Sequence, residues 1–492
     1  MKVSNDLFEL IRSMDKTEKR YFVLNSGKVN RSSKLYLELF KALDKEKIYN
    51  EKEFRRKNKN EKFCRNFAFN KNHLYGLIIS SLTDYSYSSK ADGRMHAMIA
   101  ECWVLFNKAL YPKYFRAIAK AKEFAYRHEK FGYLLQILDM ERIIIPKKLI
   151  QVQKADEIMN EASEAAGKML KIFEYGKTSS LLLNNFRYYG LSRDKEQSLV
   201  LDRILQENLP EAENEAHSNR ALEGYWRVIE ILSGIKGDNE KRYEALLKRY
   251  EIVQKDPYPF KDYILNYPVN ILYALIECCL PLNKAEEAEY FMSKLYWEIK
   301  NEKYSIDDFE IFREYLNLRI YLKKGEQDKA VKLIPKLEKI LIKYKDKLQI
   351  DTELSIMYHI TVCRLEEKNY TKALHAANKL ISHPLLNKRS DYECYIKIIY
   401  LIIHFELKNF ELLKHLLIST YRYLCKHEKL FKTEQLVIDF IRKLQKVKTD
   451  DDLIFNFSIL SKNLSQIKED KYEKNAFEYF DLLKWVNGKL KK

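Results

Sequence analysis

The sequence predicts an all-α protein: a right-handed superhelical solenoid of helix-turn-helix repeats with a period of about 42 residues, carrying a basic helical module at its N-terminus and a capping helix at its C-terminus. Three observations lead there. Chain breakers are scarce, apolar residues recur at helical spacing over long stretches, and a small residue returns at a nearly fixed interval.

Only 12 Gly and 9 Pro occur among 492 residues, against usual shares of about 7% and 5%. Glycine loosens the backbone and proline removes an N–H, so a chain poor in both is free to form long helices. No proline precedes Pro112. Most later ones sit between periodic segments, as in Asp256-Pro257-Tyr258-Pro259 and Ser382-His383-Pro384, where the residue before proline is pushed out of the helical region. An apolar share of 46% with 35 Tyr and 25 Phe supplies a core. The longest apolar run, Ile398 to Ile403, is far shorter than the roughly 18 residues a membrane span needs.

The N-terminal Met-Lys-Val-Ser-Asn-Asp-Leu-Phe-Glu-Leu places acids where a secretory signal requires an apolar stretch, so a cytoplasmic location is expected. Seven cysteines (Cys64, Cys102, Cys278, Cys279, Cys363, Cys394 and Cys425) form an odd set without CxxC spacing and read as buried thiols of a reducing compartment. The vicinal Cys278-Cys279 pair leaves a redox role as the alternative, although neighbouring positions on a helix point about 100° apart.

Four segments align on one alanine within a second helix: Lys-Arg-Tyr-Glu-Ala245, Lys-Ala-Glu-Glu-Ala288, Glu-Gln-Asp-Lys-Ala330 and Asn-Tyr-Thr-Lys-Ala373, in steps of 43, 42 and 43. A fifth unit follows at a slightly shorter step with Leu413 in that place, and Lys-Tyr-Phe-Arg-Ala117 lies far enough before Ala245 to leave room for two degenerate units between. Tyr370, Ala373, Leu374, Ala377, Leu380 and Ile381 follow the i, i+3, i+4, i+7 pattern of an amphipathic helix. A hairpin of two such helices cannot bury its apolar face alone, so a regular period implies stacked neighbours. Leu318, Tyr321, Gly325 and Ala330 resemble the first-helix, turn and close-packing positions of tetratricopeptide repeats, and Ala373 with Pro384, like Ala245 with Pro257, resembles that repeat's end. The period departs from the family's 34. The resemblance covers residues 95 to 445 and implies architecture without activity.

The expected organisation is a basic module at 1–90, the solenoid at 91–445 and capping helices at 446–492. In residues 1–90 short helical patterns (Leu7 to Met14, Lys34 to Leu43, Glu51 to Arg56, Phe67 to Leu82) share no repeat register, and 20 Lys and Arg oppose 11 Asp and Glu, half of the chain's net +18. A last helix is expected from Glu469 to Asn487, stopped by Gly488. Lys16-Thr17-Glu18-Lys19-Arg20-Tyr21-Phe22 and Tyr479-Phe480-Asp481-Leu482-Leu483-Lys484-Trp485 resemble bacterial helical-repeat proteins to which no activity is assigned.

The sequence has no GxGxxG, GxxxxGK[ST], HExxH or GxSxG. His359, His375, His404 and His415 are the nearest approach to a metal cluster, with hydrogen-bonded structural histidines as the plainer reading. The expectation is a non-enzymatic interaction scaffold, without metal or cofactor, that binds a protein or peptide in the groove of the solenoid. Candidate groove residues are Tyr273, Tyr315 and Tyr358 in successive first helices, with Glu277 and Arg319 four residues on; inter-repeat packing is the plainer reading of those tyrosines. The alternative function is a nucleic-acid-binding regulator. Lys52, Arg55, Arg56, Lys57, Lys59 and Lys62 would neutralise phosphates, and Lys71 and Asn72 lie near the start of a helix in a helix-turn-helix-like order. A solvated basic face is the plainer reading there.

Overall fold

The computed structural model describes residues 5–26, 33–143, 152–208, 217–261, 267–301, 306–344, 348–444 and 449–490. Among the described residues there are 23 α-helices, a few 3-10 turns and no strand. The first four residues of the N-terminal stretch, and the expected boundary at 445–448, lie outside the described residues. Contacts divide the chain into two units, Met1–Ala166 and Gly167–Lys492.

The first unit holds α1 (Asp6–Ser13), α2 (Lys16–Ser26), α3 (Ser33–Lys45), α4 (Glu51–Lys57), α5 (Phe67–Ser89), α6 (Ala91–Asn107), α7 (Tyr111–Arg127), α8 (Phe131–Arg142) and the first part of α9 (Val152–Tyr189). The helix α2 was missed by the periodicity of its apolar residues, yet its start is encoded. Asp15 accepts the N–H groups of Thr17 and Glu18, and Glu18 accepts that of Asp15 at 2.9 Å, a reciprocal cap. Phe54, Phe63 and Phe67 from the basic stretch are buried with Leu7, Ile11, Phe22, Phe40, Leu74 and Ile78 in one core. Those rings fix α4 and α5. Asn50 caps α4 by accepting from Lys52 and Glu53, and the buried Asn70 amide donates to the Phe63 carbonyl at 2.9 Å.

The second unit continues α9 and adds α10 (Lys195–Asn208), α11 (Asn219–Lys236), α12 (Asn239–Lys255), α13 (Tyr267–Cys279), α14 (Ala285–Asn301), α15 (Ile306–Lys324), α16 (Gln327–Lys343), α17 (Ile350–Glu366), α18 (Tyr370–Ile381), α19 (Ser390–Glu406), α20 (Phe410–Lys426), α21 (Lys432–Leu444), α22 (Asp450–Lys468) and α23 (Leu482–Leu490). From α11 onward each helix packs on the next, and α13, α15, α17 and α19 each also touch the next helix of that odd-numbered series. This is the packing of a helical solenoid. Ala245, Ala288, Ala330 and Ala373 lie fully buried in α12, α14, α16 and α18, with Leu413 equally buried in α20, where a small side chain lets neighbouring helices approach closely.

The turns inside these hairpins share one device. A residue in left-handed conformation follows the first helix, namely Gly237, Asn283, Gly325, Lys368 and Lys408. The next residue's N–H then reaches back across the turn, as from Glu326 to Tyr321 at 2.9 Å, Asn369 to Arg364 at 3.1 Å and Asn409 to His404 at 3.0 Å, which satisfies carbonyls at the helix end.

Two expectations require correction. The last helix does not run from Glu469 to Asn487: α22 ends at Lys468, a 3-10 turn covers Glu473–Glu478, and α23 passes through Gly488. The break arises because Asp470 accepts the N–H groups of Tyr472 and Glu473, replacing helical bonds by a local turn. The stretch between Ala117 and Ala245 does not repeat the hairpin either, since it contains the 38-residue α9. Pro335 lies inside α16 rather than between helices. No helix among the described residues is long and apolar enough to cross a membrane.

Candidate functional site

The α13, α15 and α17 helices carry Tyr273, Tyr315 and Tyr358 at matching places on adjacent helices. Of the pairs four residues apart on one helical face, Tyr315 and Arg319 meet. Arg319 donates to Glu277 at 2.8 Å and to the Tyr315 hydroxyl at 3.4 Å. The Tyr315 oxygen lies 3.1 Å from His359 Nδ1, which is 2.8 Å from the Ser355 carbonyl. The carbonyl can only accept, so Nδ1 carries the proton. Burial, and then the Arg319 guanidinium, hold the His359 pKa well below its ordinary value.

The tyrosines are less accessible than a partner-facing ladder requires. Tyr315 is 2% and Tyr358 0% exposed, while Tyr273 is partly buried with its ring edge on Phe312. The chain's own C-terminal segment occupies the place. Tyr358 donates to the Tyr479 carbonyl at 3.1 Å and stacks on Tyr392, and Tyr479 stacks on Tyr395 with ring centres 4.1 Å apart.

Opposite that segment, the end of α9 and the residues after it are bound just as firmly. The Leu191 N–H donates to the Tyr479 hydroxyl at 3.2 Å, the Asn475 amide donates to the Ser192 carbonyl at 2.7 Å, and Lys429 donates to the Tyr189 carbonyl at 2.6 Å. Arg193 lies at the centre. It makes a forked pair with Glu434 at 2.9 and 3.1 Å, a bond to Glu473 at 2.7 Å, a contact with the Tyr395 hydroxyl, and a cation–π contact 4.7 Å above Phe431. Glu473 also accepts the N–H groups of Lys432 and Thr433, so the same carboxylate caps α21. Nearby, Arg389 forks onto Asp391 at 2.7 and 2.9 Å and lies 3.9 Å over Tyr392. These ions are buried and paired with one another, while the Arg193 Nε has no hydrogen-bond partner among the described residues.

What stays open beside them is a cleft of about 770 Å³. The ends of α13, α15 and α17 form one wall through Leu280, Leu322 and Val362, and the segment from Lys468 to Lys484 forms the other. Arg319 and His359 lie in its wall; Lys323, Lys324, Lys474, Glu469, Glu478 and Asp481 are exposed around it. Lys484 pairs with Glu366 at 2.6 Å. The lining is polar and of both signs.

No family model matches the chain, and no curated protein or solved structure is significantly similar to it. The site therefore rests on its geometry alone.

The basic candidates of the first unit separate into two sets. Lys71 is mostly buried, paired with Glu51 at 2.7 Å and placed over the Tyr49 and Phe67 rings, so it belongs to the fold. Lys52, Arg55, Arg56, Lys57, Lys59, Lys62 and Asn72 are exposed. Among the cysteines, burial pushes the Cys278 thiol up to about 11 and the Cys279 thiol up to about 12, which keeps both protonated and weakly nucleophilic near neutral pH.

Sequence reasoning missed Arg193, Glu434, Glu473 and Arg389. Arg193 meets Glu434 and Glu473 across separations of 241 and 280 residues, over which periodicity carries no information. Tyr479 stood in a segment singled out by resemblance, without any signal that it packs beneath the inner tyrosines.

Proposed function

We propose that the second unit is a tetratricopeptide-like solenoid with a repeat longer than that family's and right-handed superhelical stacking, working as a non-enzymatic scaffold that docks a short polar segment of a protein partner in the cleft. Arg319 and Lys323 on one wall and Lys474 and Glu478 on the other would grip that segment. The observation that carries this reading is the cleft of about 770 Å³, which falls within the usual range for ligand sites of about 300–1,000 Å³. Its mixed-charge lining suits backbone and charged side chains better than an apolar ligand. Seven unpaired cysteines suit a reducing, cytoplasmic setting.

The test places a photo-crosslinking amino acid at Lys323 or at Lys474 in the full chain, with Ile342 as control, because Ile342 is 80% exposed on α16 and does not line the cleft. The expected result is one protein captured from both cleft positions, absent from the control and lost when the opposite wall carries Lys474→Glu or Lys323→Glu. Equal capture at all three positions would sink the reading.

A further inference from the structure

Independently of the scaffold reading, we propose that the first unit binds single-stranded nucleic acid on the surface formed by α4, the turn after it and the start of α5. Two features meet there. Lys52, Arg55, Arg56, Lys59, Lys62 and Arg65 are all exposed, against exposed Glu53 and Glu61 alone among acids of residues 51–73, since Glu51 is taken by Lys71. Four residues after Arg65, at the start of α5, stands an aromatic pair. Phe69 is 66% exposed and lies parallel to the exposed His73 ring, 6.1 Å away with planes 5° apart, and His73 in turn packs on Tyr36 at 4.5 Å.

The other rings of this stretch show why Phe69 stands out. Phe54, Phe63 and Phe67 are 2–3% exposed and complete the core. Phe69 contributes little to that core, and leaving such a ring in water beside cations is what a base-stacking platform requires. Cations bind the phosphates without regard to sequence, and each base offers a π-face whatever its identity.

Geometry favours a single strand over a duplex. A duplex reader of the helix-turn-helix kind joins its helices by about 3–4 residues and reads base edges with polar side chains of the second helix. Here a longer connection, 58 to 66, separates α4 from α5. Of the polar residues at the start of α5, Asn70 is bonded to the Phe63 carbonyl, Lys71 to Glu51, and His73 is packed against the Phe69 and Tyr36 rings. That leaves Asn72 as the reader, too little for a groove but compatible with stacking.

The test is fluorescence anisotropy of the full chain with a labelled single strand of about 20 thymidines and a duplex of equal length at several salt concentrations from about 50 mM. The parent should prefer the single strand, and log affinity should fall linearly with log salt. Phe69→Ala should weaken binding by about 5- to 100-fold with an unchanged salt slope, whereas Phe69→Tyr, which keeps the ring, should retain it. Reversing Arg55, Arg56, Lys59 and Lys62 to Glu should flatten the slope by about 0.7 for each phosphate that is no longer neutralised. Ile48→Ala, another exposed apolar residue of this unit at 85%, should change nothing. No binding of the single strand at about 50 mM salt, tighter binding of the duplex, or equal affinity of Phe69→Ala and parent would each overturn the proposal. Binding to phosphatidylserine vesicles without binding to the strand would overturn it too, assigning the surface to lipid.

Discussion

At the scale of the residue, the hairpin turns show how a chain with 12 glycines bends so often. Lys368 at φ 61° and Lys408 at φ 59° hold the left-handed conformation that Gly237 and Gly325 hold elsewhere. An L-residue there is strained by about 1–2 kcal/mol, and glycine relieves this while losing part of the gain to its freer unfolded state. Lys368→Gly and Lys408→Gly are each expected to stabilise the second unit by about 0.5–1 kcal/mol, measured by urea denaturation; a fall in the midpoint for both would refute the strain argument. His359 gives the opposite kind of effect. Its folded pKa is held far below 6.5 by burial and Arg319, so the unfolded chain binds a proton that the folded one refuses. Its contribution is therefore present above about pH 6.5 and is lost as pH falls toward its folded pKa, at up to about 1.4 kcal/mol per pH unit. Stability measured from pH 7 to 5 should fall more steeply for the parent than for His359→Asn, which keeps a donor toward the Ser355 carbonyl. Parallel curves would mean that His359 takes up a proton as readily in the fold as in the unfolded chain.

At the scale of the element, the 3-10 turn Glu473–Glu478 acts as a wedge between α21 and the loop after α9. Two glycines measure how tightly it sits. Both Gly237 and Gly325 are left-handed, but a Cβ at 237 would overlap the Asn475 side chain, and one at 325 would meet nothing within 4 Å. Gly325→Ala should destabilise by about 1 kcal/mol, the backbone term alone. Gly237→Ala should cost about 3 kcal/mol, because Asn475 must also leave the Ser192 carbonyl that it holds at 2.7 Å. Equal midpoints in thermal melts of the two variants would show that Asn475 does not rest against Gly237. The contrast also marks what was legible in the sequence. Gly325 and the Ala330 behind it were readable because turn and packing residue lie close together, within one hairpin. Gly237 carried the same local signal, but nothing in its surroundings announced Asn475. The basic cluster was legible as charge, yet separating Lys71 from its exposed neighbours needed the position of Glu51, 20 residues away.

At the scale of the whole second unit, a purely linear array would be held only by neighbouring helices, and its end helices would open first. Here Arg193 joins α21 and the 3-10 turn before α23, Leu191 joins Tyr479, and Lys429 joins Tyr189, across separations of 240 to 288 residues. The charged groups at this junction are buried, so opening it exposes Arg193, Glu434 and Glu473 together and leaves partners unsatisfied if only one withdraws, an effect of about 3–5 kcal/mol. The two ends of the unit are thereby made to open in one step. Native-state hydrogen exchange should find the amides of Phe186–Tyr189, of α21 and of the 3-10 turn sharing one opening free energy close to that of α15 and α17 in the middle. Protection should drop in all of them together when Arg193→Met removes the shared ion. Graded protection, lowest in α21 and α23 and rising steadily toward α15, would instead describe an array whose ends fray independently, and would deny the junction its role in holding the unit closed.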